Sequence, residues 1–365
     1  METKELGFLL ALHRALHLTQ SRYECLGSFF QKKWSEAWKA SPIEFAHAGI
    51  EKKGQEKFFA QRENISPDEE LEKFSRCGAQ VFCVDDDDYP ALLKNIYSPP
   101  ALLFVRGEMP PQDTPSLSVV GSRRMTSYGK RCTESIVGEV ARNGITIVSG
   151  LAFGVDTCAH KAAVDAGGQT ICVLGNGIDA IYPASNKNFA EGILQKKQGA
   201  ILSEHLPGVE ARAEFFPLRN RIIAGLSMAT LVVEAAEKSG SLITAELALG
   251  GGRDVFAVPG DIFSKASAGT NALIRAGAIP VESGKQILEY FGISETAAKE
   301  NNPSINMTKE EKEIFRAFGE ENRVHINDIL RLSPLPAPVT SAQLSLMEIK
   351  GLVKNIGNQM YVRNI

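Results

Sequence analysis

The sequence lacks a large net charge, a long apolar run and a basic leader. Its formal net charge is −3 over 365 residues, so no bulk attraction to nucleic acid is expected, and such binding would need a local basic cluster. No apolar run approaches the roughly 18–20 residues that a membrane span requires. The start of the chain also lacks the basic region of a secretory signal. We therefore expect a soluble, cytoplasmic protein without a membrane partner.

Catalytic and metal-binding patterns are also missing. The six cysteines form no C-x-x-C pair and lie in or beside apolar runs, which predicts buried free thiols in a reducing compartment. Neither a Ser/His/Asp nor a Cys/His constellation is visible, and His160 lacks neighbours at metal-ligand spacing. The aspartates at 85–88 could bind a hard cation, but four acids in a loop are more typical of a solvated run. We expect no catalytic residue, no metal and no cofactor.

Apolar runs alternate with helical stretches through the middle of the chain. Runs this apolar suit strands that are covered on both faces, as in a parallel sheet with helices on either side. The sequence therefore predicts an α/β fold with a Rossmann-like, mostly parallel sheet over residues 78–293. The predicted strands are Val81 to Val84, Leu117 to Val120, Ile145 to Val148, Thr170 to Leu174, Ala200 to Ser203, Thr230 to Glu234 and Val255 to Val258.

Residues 1–77 have a helical pattern, with Leu9, Leu12 and Leu16 on one apolar face and Trp34 and Trp38 one turn apart. This pattern predicts a small helical domain of the SAM or helix-hairpin-helix type. A helix-hairpin-helix would bind nucleic acid, but the glycine-rich hairpin that it needs is absent. A packing role is favoured for this domain.

The end of the chain predicts a polar linker at 294–306 and a separate domain at 307–365. Helices are expected from Thr308 to Phe318, from Ile326 to Leu332 and from Ser341 to Ile349, before a terminal hairpin. Three helices and a hairpin indicate a winged helix. The third helix offers polar residues but little positive charge, so contact with a protein is at least as well supported as DNA readout.

Four segments of the middle region offer the chemistry of an anion site. Three are glycine- and serine-rich turns after strands, and in a parallel sheet such turns open on the same edge. Glycine lets a backbone approach a ligand, serine adds a hydroxyl donor, and arginine matches phosphate oxygens with a planar charged fork. The fourth segment, 216–223, is expected where a loop turns into a helix, whose first N–H groups favour anions. The predicted contacts are Gly121, Ser122 and Arg123, then Ser149, Gly150 and Ala152, then Arg219, Asn220 and Arg221, and finally Ser239, Gly240 and Ser241.

Two alternatives accompany this site. Residues 175–180 partly match a dinucleotide fingerprint, with Glu204 as a candidate ribose ligand, but Pro183 follows where that fingerprint needs a helix. Phe215 and Phe216 could stack on bases of a single strand, although core packing is the default for both.

The ordered motifs of the middle region resemble the DprA/Smf DNA-processing family. The resemblance spans roughly Asp88 to Val281, and Val155 stands where isoleucine is usual. The motifs that carry it are residues 120–123, 128–129, 149–156, 159–160, 174–179, 182–183, 203–204, 216–223, 234–235, 239–245, 259–260 and 269–271, with Asn186 in the same series.

The resemblance implies a bacterial cytoplasmic protein that binds single-stranded DNA, often as a homodimer, and loads the RecA recombinase during natural transformation, without catalysis. It places Asn186 and the adjacent Lys187 in the predicted DNA site. An enzyme alternative comes from the related cytokinin-activating phosphoribohydrolases, in which a glycine-rich loop and a glutamate cleave nucleotides. The corresponding loop here is 238–244, with Glu246 nearby, and it matches the catalytic pattern poorly.

Overall fold

The computed structural model describes residues 2–294, 308–318, 324–350, 352–355, 357 and 359–363. The chain divides into two compact units, Met1–Glu295 and Thr296–Ile365. Apart from Ser294, the predicted linker at 294–306 lies outside the described residues. Within the described ranges, no helix combines the length and the apolar character needed to cross a bilayer.

Six α-helices open the first unit, which confirms the helical region predicted for residues 1–77. Side-chain caps begin several of them: Thr19 caps α2, Ser41 forms a capping box with Glu44 on α4, and Ser66 caps α6. The helices are α1 (Thr3–Leu16), α2 (Gln20–Phe29), α3 (Trp34–Lys39), α4 (Pro42–His47), α5 (Lys52–Gln61) and α6 (Pro67–Arg76). Their apolar side chains share a core cluster with one face of the sheet that follows, so the helices and the sheet belong to one compact unit.

A nine-stranded sheet forms the body of this unit, in the order β1-β2-β6-β5-β4-β3-β7-β8-β9. In this spatial order, every two neighbouring strands from β6 through β9 are parallel. β2 pairs antiparallel with β6, and β1 pairs antiparallel with β2 at the edge of the sheet. The mostly parallel α/β fold is therefore confirmed. The strands are β1 (Gln80–Cys83), β2 (Leu102–Gly107), β3 (Ser116–Val120), β4 (Thr146–Ser149), β5 (Thr170–Val173), β6 (Gly199–Ser203), β7 (Ala229–Val232), β8 (Asp254–Ala257) and β9 (Ile279–Pro280). Sequence reasoning missed β2 and β9.

Both faces of the sheet are covered, which explains the unbroken apolar runs. Neighbouring residues of one strand point to opposite faces, and Ile147 and Val148 of β4 accordingly enter two different core clusters. The further helices of this unit are α7 (Ala91–Lys94), α8 (Ser127–Arg142), α9 (Val155–Asp165), α10 (Lys187–Gln195), α11 (Phe215–Gly225), α12 (Gly240–Gly250), α13 (Ala268–Arg275) and α14 (Gly284–Tyr290).

The second unit has its own apolar core, which includes Ile314, Leu344 and Met347. Its described elements are α15 (Lys309–Arg316), β10 (Val324–His325), α16 (Ile326–Leu332), α17 (Ala337–Ile349), β11 (Val353–Asn355) and β12 (Met360–Arg363), with the strands in the order β10-β12-β11. α17 begins four residues before the predicted Ser341, because Pro338 lies in the first turn, where a helix tolerates proline. The winged-helix assignment stays a prediction.

Candidate nucleic-acid interface

A pocket of about 770 Å³ opens beyond the carboxyl ends of β3, β4 and β7, the edge at which ligands of parallel α/β sheets bind. The structure brings most of the predicted residues to it. Those that line it are Gly121, Ser122, Arg123, Ala152, Arg219, Asn220, Ser239, Gly240 and Ser241.

The Gly-Ser-Arg turn after β3 supplies an exposed cation to this pocket. Ser122 Oγ accepts the backbone N–H of Arg124 at 3.1 Å, which fixes the turn. The Arg123 guanidinium carbon lies 5.4 Å from the centre of the Phe216 ring, a cation–π geometry. The ring holds the guanidinium at the pocket while its N–H groups remain able to meet a phosphate.

Two aromatic rings form one wall of the pocket. The rings of Tyr182 and Phe216 have centroids 5.6 Å apart, and Tyr182 is 50% exposed. Gly175 makes room for this wall, because a Cβ there would lie 3.0 Å from the Phe216 ring. Core packing is the default expectation for Phe216, yet its ring lines the pocket. Sequence reasoning did not select Tyr182, whose Tyr-Pro motif was its only signal.

Arg219 lines the floor of the pocket, where little of it is open to a ligand. Its side chain is 5% exposed. The Nη1 group donates to the carbonyl of Gly150 at 2.7 Å and also to the carbonyl of Val173. Gly150 is needed here because a Cβ at this position would overlap the guanidinium. Arg219 therefore fixes the turn after β4.

A buried carboxyl and a buried imidazole hold the same turn from the other side. Asp156 Oδ2 accepts the N–H of Gly150 at 3.2 Å, and His160 Nε2 accepts the N–H of Leu151 at 3.3 Å. Burial raises the pKa of Asp156, while Arg219 opposes that rise. Burial lowers the pKa of His160 to about 3, and Arg219 adds to that effect. His160 is therefore neutral at pH 7, as an acceptor at Nε2 must be.

The amino terminus of α12 faces the pocket. Ser239 caps this helix by accepting the N–H of Ser241 at 3.3 Å. Ser239, Gly240 and Ser241 all line the pocket, so the partial positive charge of the helix end is directed at its contents. Asn220 borders the same helix start, with its Nδ2 3.4 Å from the Gly240 carbonyl.

The segment 216–223 is itself helical, contrary to the expectation that a helix begins within it. α11 begins at Phe215, so Arg219 lies in its second turn and the first-turn N–H groups are not placed beside the arginines. The helix-end donors at the pocket come from α12 instead.

The other predicted contacts lie elsewhere. Ser149 is buried and donates to the Val119 carbonyl at 2.6 Å, and Asn186 donates to the Leu151 carbonyl at 2.9 Å, so both support the turn after β4. Arg221 pairs with Glu204 at 2.5 Å. That ion pair also gives Glu204 a role other than ribose binding. Lys187 lines a different cavity, together with Arg76 and Arg106.

Three alternative sites receive no support from the positions of their residues. Glu246 of α12 is exposed and is not among the described residues that line the pocket, so it is not placed as a catalytic group there. The partial dinucleotide fingerprint is not followed by a helix until the 3₁₀ turn Ala184–Asn186 and α10. Of the aspartates at 85–88, Asp85 pairs with Lys32 at 2.5 Å, and no group of three metal-ligating side chains occurs in the described part of the chain.

Acidification is expected to destabilise the first unit before its carboxylates titrate. Burial lowers the pKa of His160 to about 3 and that of His205 to about 4, against an ordinary value of 6.5. Below pH 6.5 these two histidines bind more protons in the unfolded chain than in the folded one, so their contribution to stability falls as the pH falls. The raised pKa of Asp156 opposes that fall in part. At pH 5 the His160 contribution alone is about 2 kcal/mol. Urea midpoints at pH 7.5 and pH 5 should show the fall, and a flat profile would contradict it.

The fold and the pocket define a class: a Rossmann-like α/β protein with a pocket at the carboxyl edge of its sheet that is lined by cationic and aromatic side chains. Residues 80–292 match the family described as DNA recombination-mediator protein A. The chain belongs to this family.

Relatives carry the names DprA and Smf. The chain is 42% identical to protein Smf of Synechocystis over 70% of its own length and 65% of that protein, and 45% identical to DNA processing protein DprA of Streptococcus pneumoniae over 58% of its length and 73% of that protein. The chain therefore spans slightly under two thirds of the Synechocystis relative.

Solved structures agree with these matches. The structure of DNA processing protein A from Streptococcus pneumoniae superposes with a TM-score of 0.67 at 36% identity, covering 78% of this chain and 97% of that one. That of DNA processing protein A from Helicobacter pylori, solved to describe its unique single-stranded DNA binding mode, gives a TM-score of 0.53 at 31% identity, covering 58% and 95%.

Proposed function

We propose that this chain binds single-stranded DNA in the pocket beyond β3, β4 and β7, without catalysis, and acts as a recombination mediator that promotes RecA loading. The observation that carries the proposal is the Arg123 guanidinium on the Phe216 ring, beside the exposed Tyr182. This arrangement joins a phosphate-binding cation to flat faces on which bases can stack.

The chemistry of the pocket favours the strand's backbone over base sequence. Arg123, the turn at Ser122 and the amino terminus of α12 all suit phosphate oxygens. Stacking on Tyr182 and Phe216 is available to every base, because each base has a π face. Duplex DNA hides those faces within its stack, so the pocket is suited to an unpaired strand.

The H. pylori relative supports the same ligand, since its structure concerns single-stranded DNA binding. The family's description as a recombination mediator supports a place in DNA processing during recombination. RecA as the partner, transformation as the process, a homodimer as the assembly and the cytoplasm as the location rest on the resemblance to the DprA/Smf family.

The fourteen residues predicted to contact single-stranded DNA fall into three groups in this proposal. Gly121, Ser122, Arg123, Ala152, Asn220, Ser239, Gly240 and Ser241 would meet the strand directly. Ser149, Gly150, Asn186 and Arg219 would position the turn after β4. Lys187 and Arg221 lie apart from the pocket lining; Lys187 could meet only a strand that extends beyond the pocket.

The test is a titration of fluorescent single-stranded and duplex oligonucleotides across salt concentrations, with a nucleoside-monophosphate cleavage assay in parallel. Preferential binding of the single strand, without cleavage, is the expected result. Mixed-sequence strands of equal length should bind within about tenfold of one another, or roughly 1.4 kcal/mol. Turnover of the nucleotide would instead support the enzyme alternative.

The second unit is expected to be dispensable for binding single-stranded DNA. We propose that it is a winged helix whose partner is a protein or duplex DNA. The described residues that line the pocket all belong to the first unit, and the second unit has an apolar core of its own. A chain ending at Glu295 should fold and keep its single-strand affinity within about 2 kcal/mol, or roughly thirtyfold. A folded truncation that loses more would place the winged helix in the binding site.

A further inference from the structure

Two large apolar side chains lie almost fully open on the loop that follows β8. Ile262 is 81% exposed and Phe263 is 89% exposed, and neither belongs to the apolar core clusters of the described residues. Two adjacent apolar side chains left open to water are typical of a contact surface. Because β8 is parallel to β7 and β7 to β3, this loop opens on the same edge of the sheet as the pocket.

The loop has a fixed conformation. The side chain of Asn271 holds Gly260, because its Oδ1 accepts the Gly260 N–H at 3.2 Å and its Nδ2 donates to the Gly260 carbonyl at 3.0 Å. Asp261 Oδ1 accepts the N–H of Phe263 at 2.8 Å, which closes an Asx turn at the tip. The Phe263 ring is therefore presented to solvent by an ordered backbone, which lowers the entropic cost of binding a ligand there.

The base of this loop is joined to the turn that lines the pocket. The N–H of Ala235 donates to the Ala266 carbonyl at 2.8 Å, and the Ala235 carbonyl accepts the N–H of Gly269 at 2.7 Å. The next residue, Ala236, lines the pocket. Phe263 is three residues from Ala266, a span of at most about 11 Å, so its Cα lies within about 20 Å of the Cα of Ala236.

Charged side chains between the pocket and Phe263 indicate what the ring contacts. Lys238 lies in the turn after β7 and Lys265 lies two residues beyond Phe263, and both are exposed. Glu237 and Asp261 bring negative charge to the same loops, but the Asp261 carboxylate already accepts the Phe263 N–H. Cations that follow the backbone and rings that stack on bases are the pattern of single-strand binders. An apolar protein surface would match the ring but would desolvate the lysines beside it.

We propose that the single strand continues out of the pocket, over the turn after β7, and places a base on the Phe263 ring. This inference rests on the function proposed for the pocket and adds a second stacking contact outside it. With about 3.4 Å or more of strand per nucleotide, about six nucleotides or fewer cover the distance of about 20 Å. Short strands should therefore occupy the pocket alone, whereas longer strands should reach both contacts.

Oligothymidylates of about 4 and about 20 nucleotides separate the two contacts in fluorescence competition titrations on the full-length chain. Phe263→Ala should weaken the longer strand by about fivefold to a hundredfold, the range for losing one stacked base, and leave the shorter strand within about twofold. Phe263→Trp keeps a flat face and should restore the affinity for the longer strand. Phe263→Leu keeps an apolar side chain without that face and should not.

Tyr97→Ala is the matched control for loss of an exposed aromatic ring. Tyr97 is 96% exposed. It follows Ile96, which packs beside Gly225 at the end of α11 remote from the pocket. This variant should bind both strands like the natural chain. Because Phe263 is exposed, its variants should also keep the urea midpoint of the natural chain.

Arg123→Ala distinguishes failure of this inference from failure of the proposed function. If Arg123→Ala weakens both strands while Phe263→Ala binds both normally, the pocket binds DNA and the contact at Phe263 is wrong. If Arg123→Ala also binds both normally, the proposed function fails and this inference fails with it. Two further results would overturn the contact: natural affinity of Phe263→Leu for the longer strand, or equal losses for both strands in Phe263→Ala.

Discussion

Replacing Arg219 with leucine is expected to lower the free energy of unfolding by about 2–4 kcal/mol and to abolish single-strand binding. The guanidinium is buried and donates to the carbonyls of Gly150 and Val173. Leucine would leave both carbonyls without that donor and would remove the positive neighbour of Asp156. Urea unfolding and oligonucleotide titration measure the two effects.

The pH dependence separates this explanation from a simple packing defect. Burial already raises the pKa of Asp156, and Arg219 limits that rise. Without Arg219 the folded-state pKa should rise further, and a carboxyl with a raised folded-state pKa loses stability as pH increases. The destabilisation should therefore be smaller at pH 5 than at pH 8. Arg131→Leu, on an exposed position of α8, should change stability by less than about 0.5 kcal/mol at either pH. A pH-independent loss would contradict the role given to Asp156.

Replacing Gly154 with alanine is expected to cost about 2–4 kcal/mol of stability and to weaken single-strand binding. Gly154 has φ +78° and ψ −125°, a conformation that side-chain-bearing residues rarely adopt. Its new Cβ would also overlap the carbonyl oxygen of Ser122 and lie 2.8 Å from the backbone of Arg123. The Gly-Ser-Arg turn would have to move away from α9, and the Arg123 guanidinium would move with it.

Gly167→Ala is the matched control for that substitution. Gly167 has nearly the same φ, +77°, but a Cβ added there would have nothing within 4 Å. It should therefore lose only about 1 kcal/mol, from the left-handed backbone, and bind single strands normally. Equal losses of stability and affinity in the two variants would show that contact between α9 and the Gly-Ser-Arg turn is unimportant.

The fold was largely predictable because its strands are buried on both faces. A run such as Leu117 to Val120 is apolar at successive positions, bounded by turn residues, and hard to place anywhere but inside a covered sheet. β2 escaped prediction although it is apolar, because no helical stretch follows it to suggest a parallel crossover. β9 spans only Ile279–Pro280, too short to show any periodicity.

The site was less predictable than the fold, because residues that are close in sequence can point their side chains in different directions. Arg219 and Arg221 are two residues apart, and in a helix that spacing turns their side chains by about 200°. Arg219 consequently lines the floor of the pocket, where it is bonded to backbone carbonyls, while Arg221 meets Glu204. If the start of α11 at Phe215 had been predicted, the two arginines would have been assigned to different sides of the helix. The stacking of Arg123 on Phe216 joins residues distant in sequence, and no local pattern could reveal it.

The most direct test of the central claim is single-strand binding by Arg123→Ala, measured across salt concentrations beside Arg131→Ala. Both variants remove one positive charge, but Arg123 lines the pocket and the exposed Arg131 of α8 does not. Arg123→Ala should lose about 1–3 kcal/mol of binding free energy and reduce the salt slope by roughly one phosphate contact. Arg131→Ala should match the natural chain. Equal affinities and salt slopes for the two variants would contradict single-strand binding in this pocket.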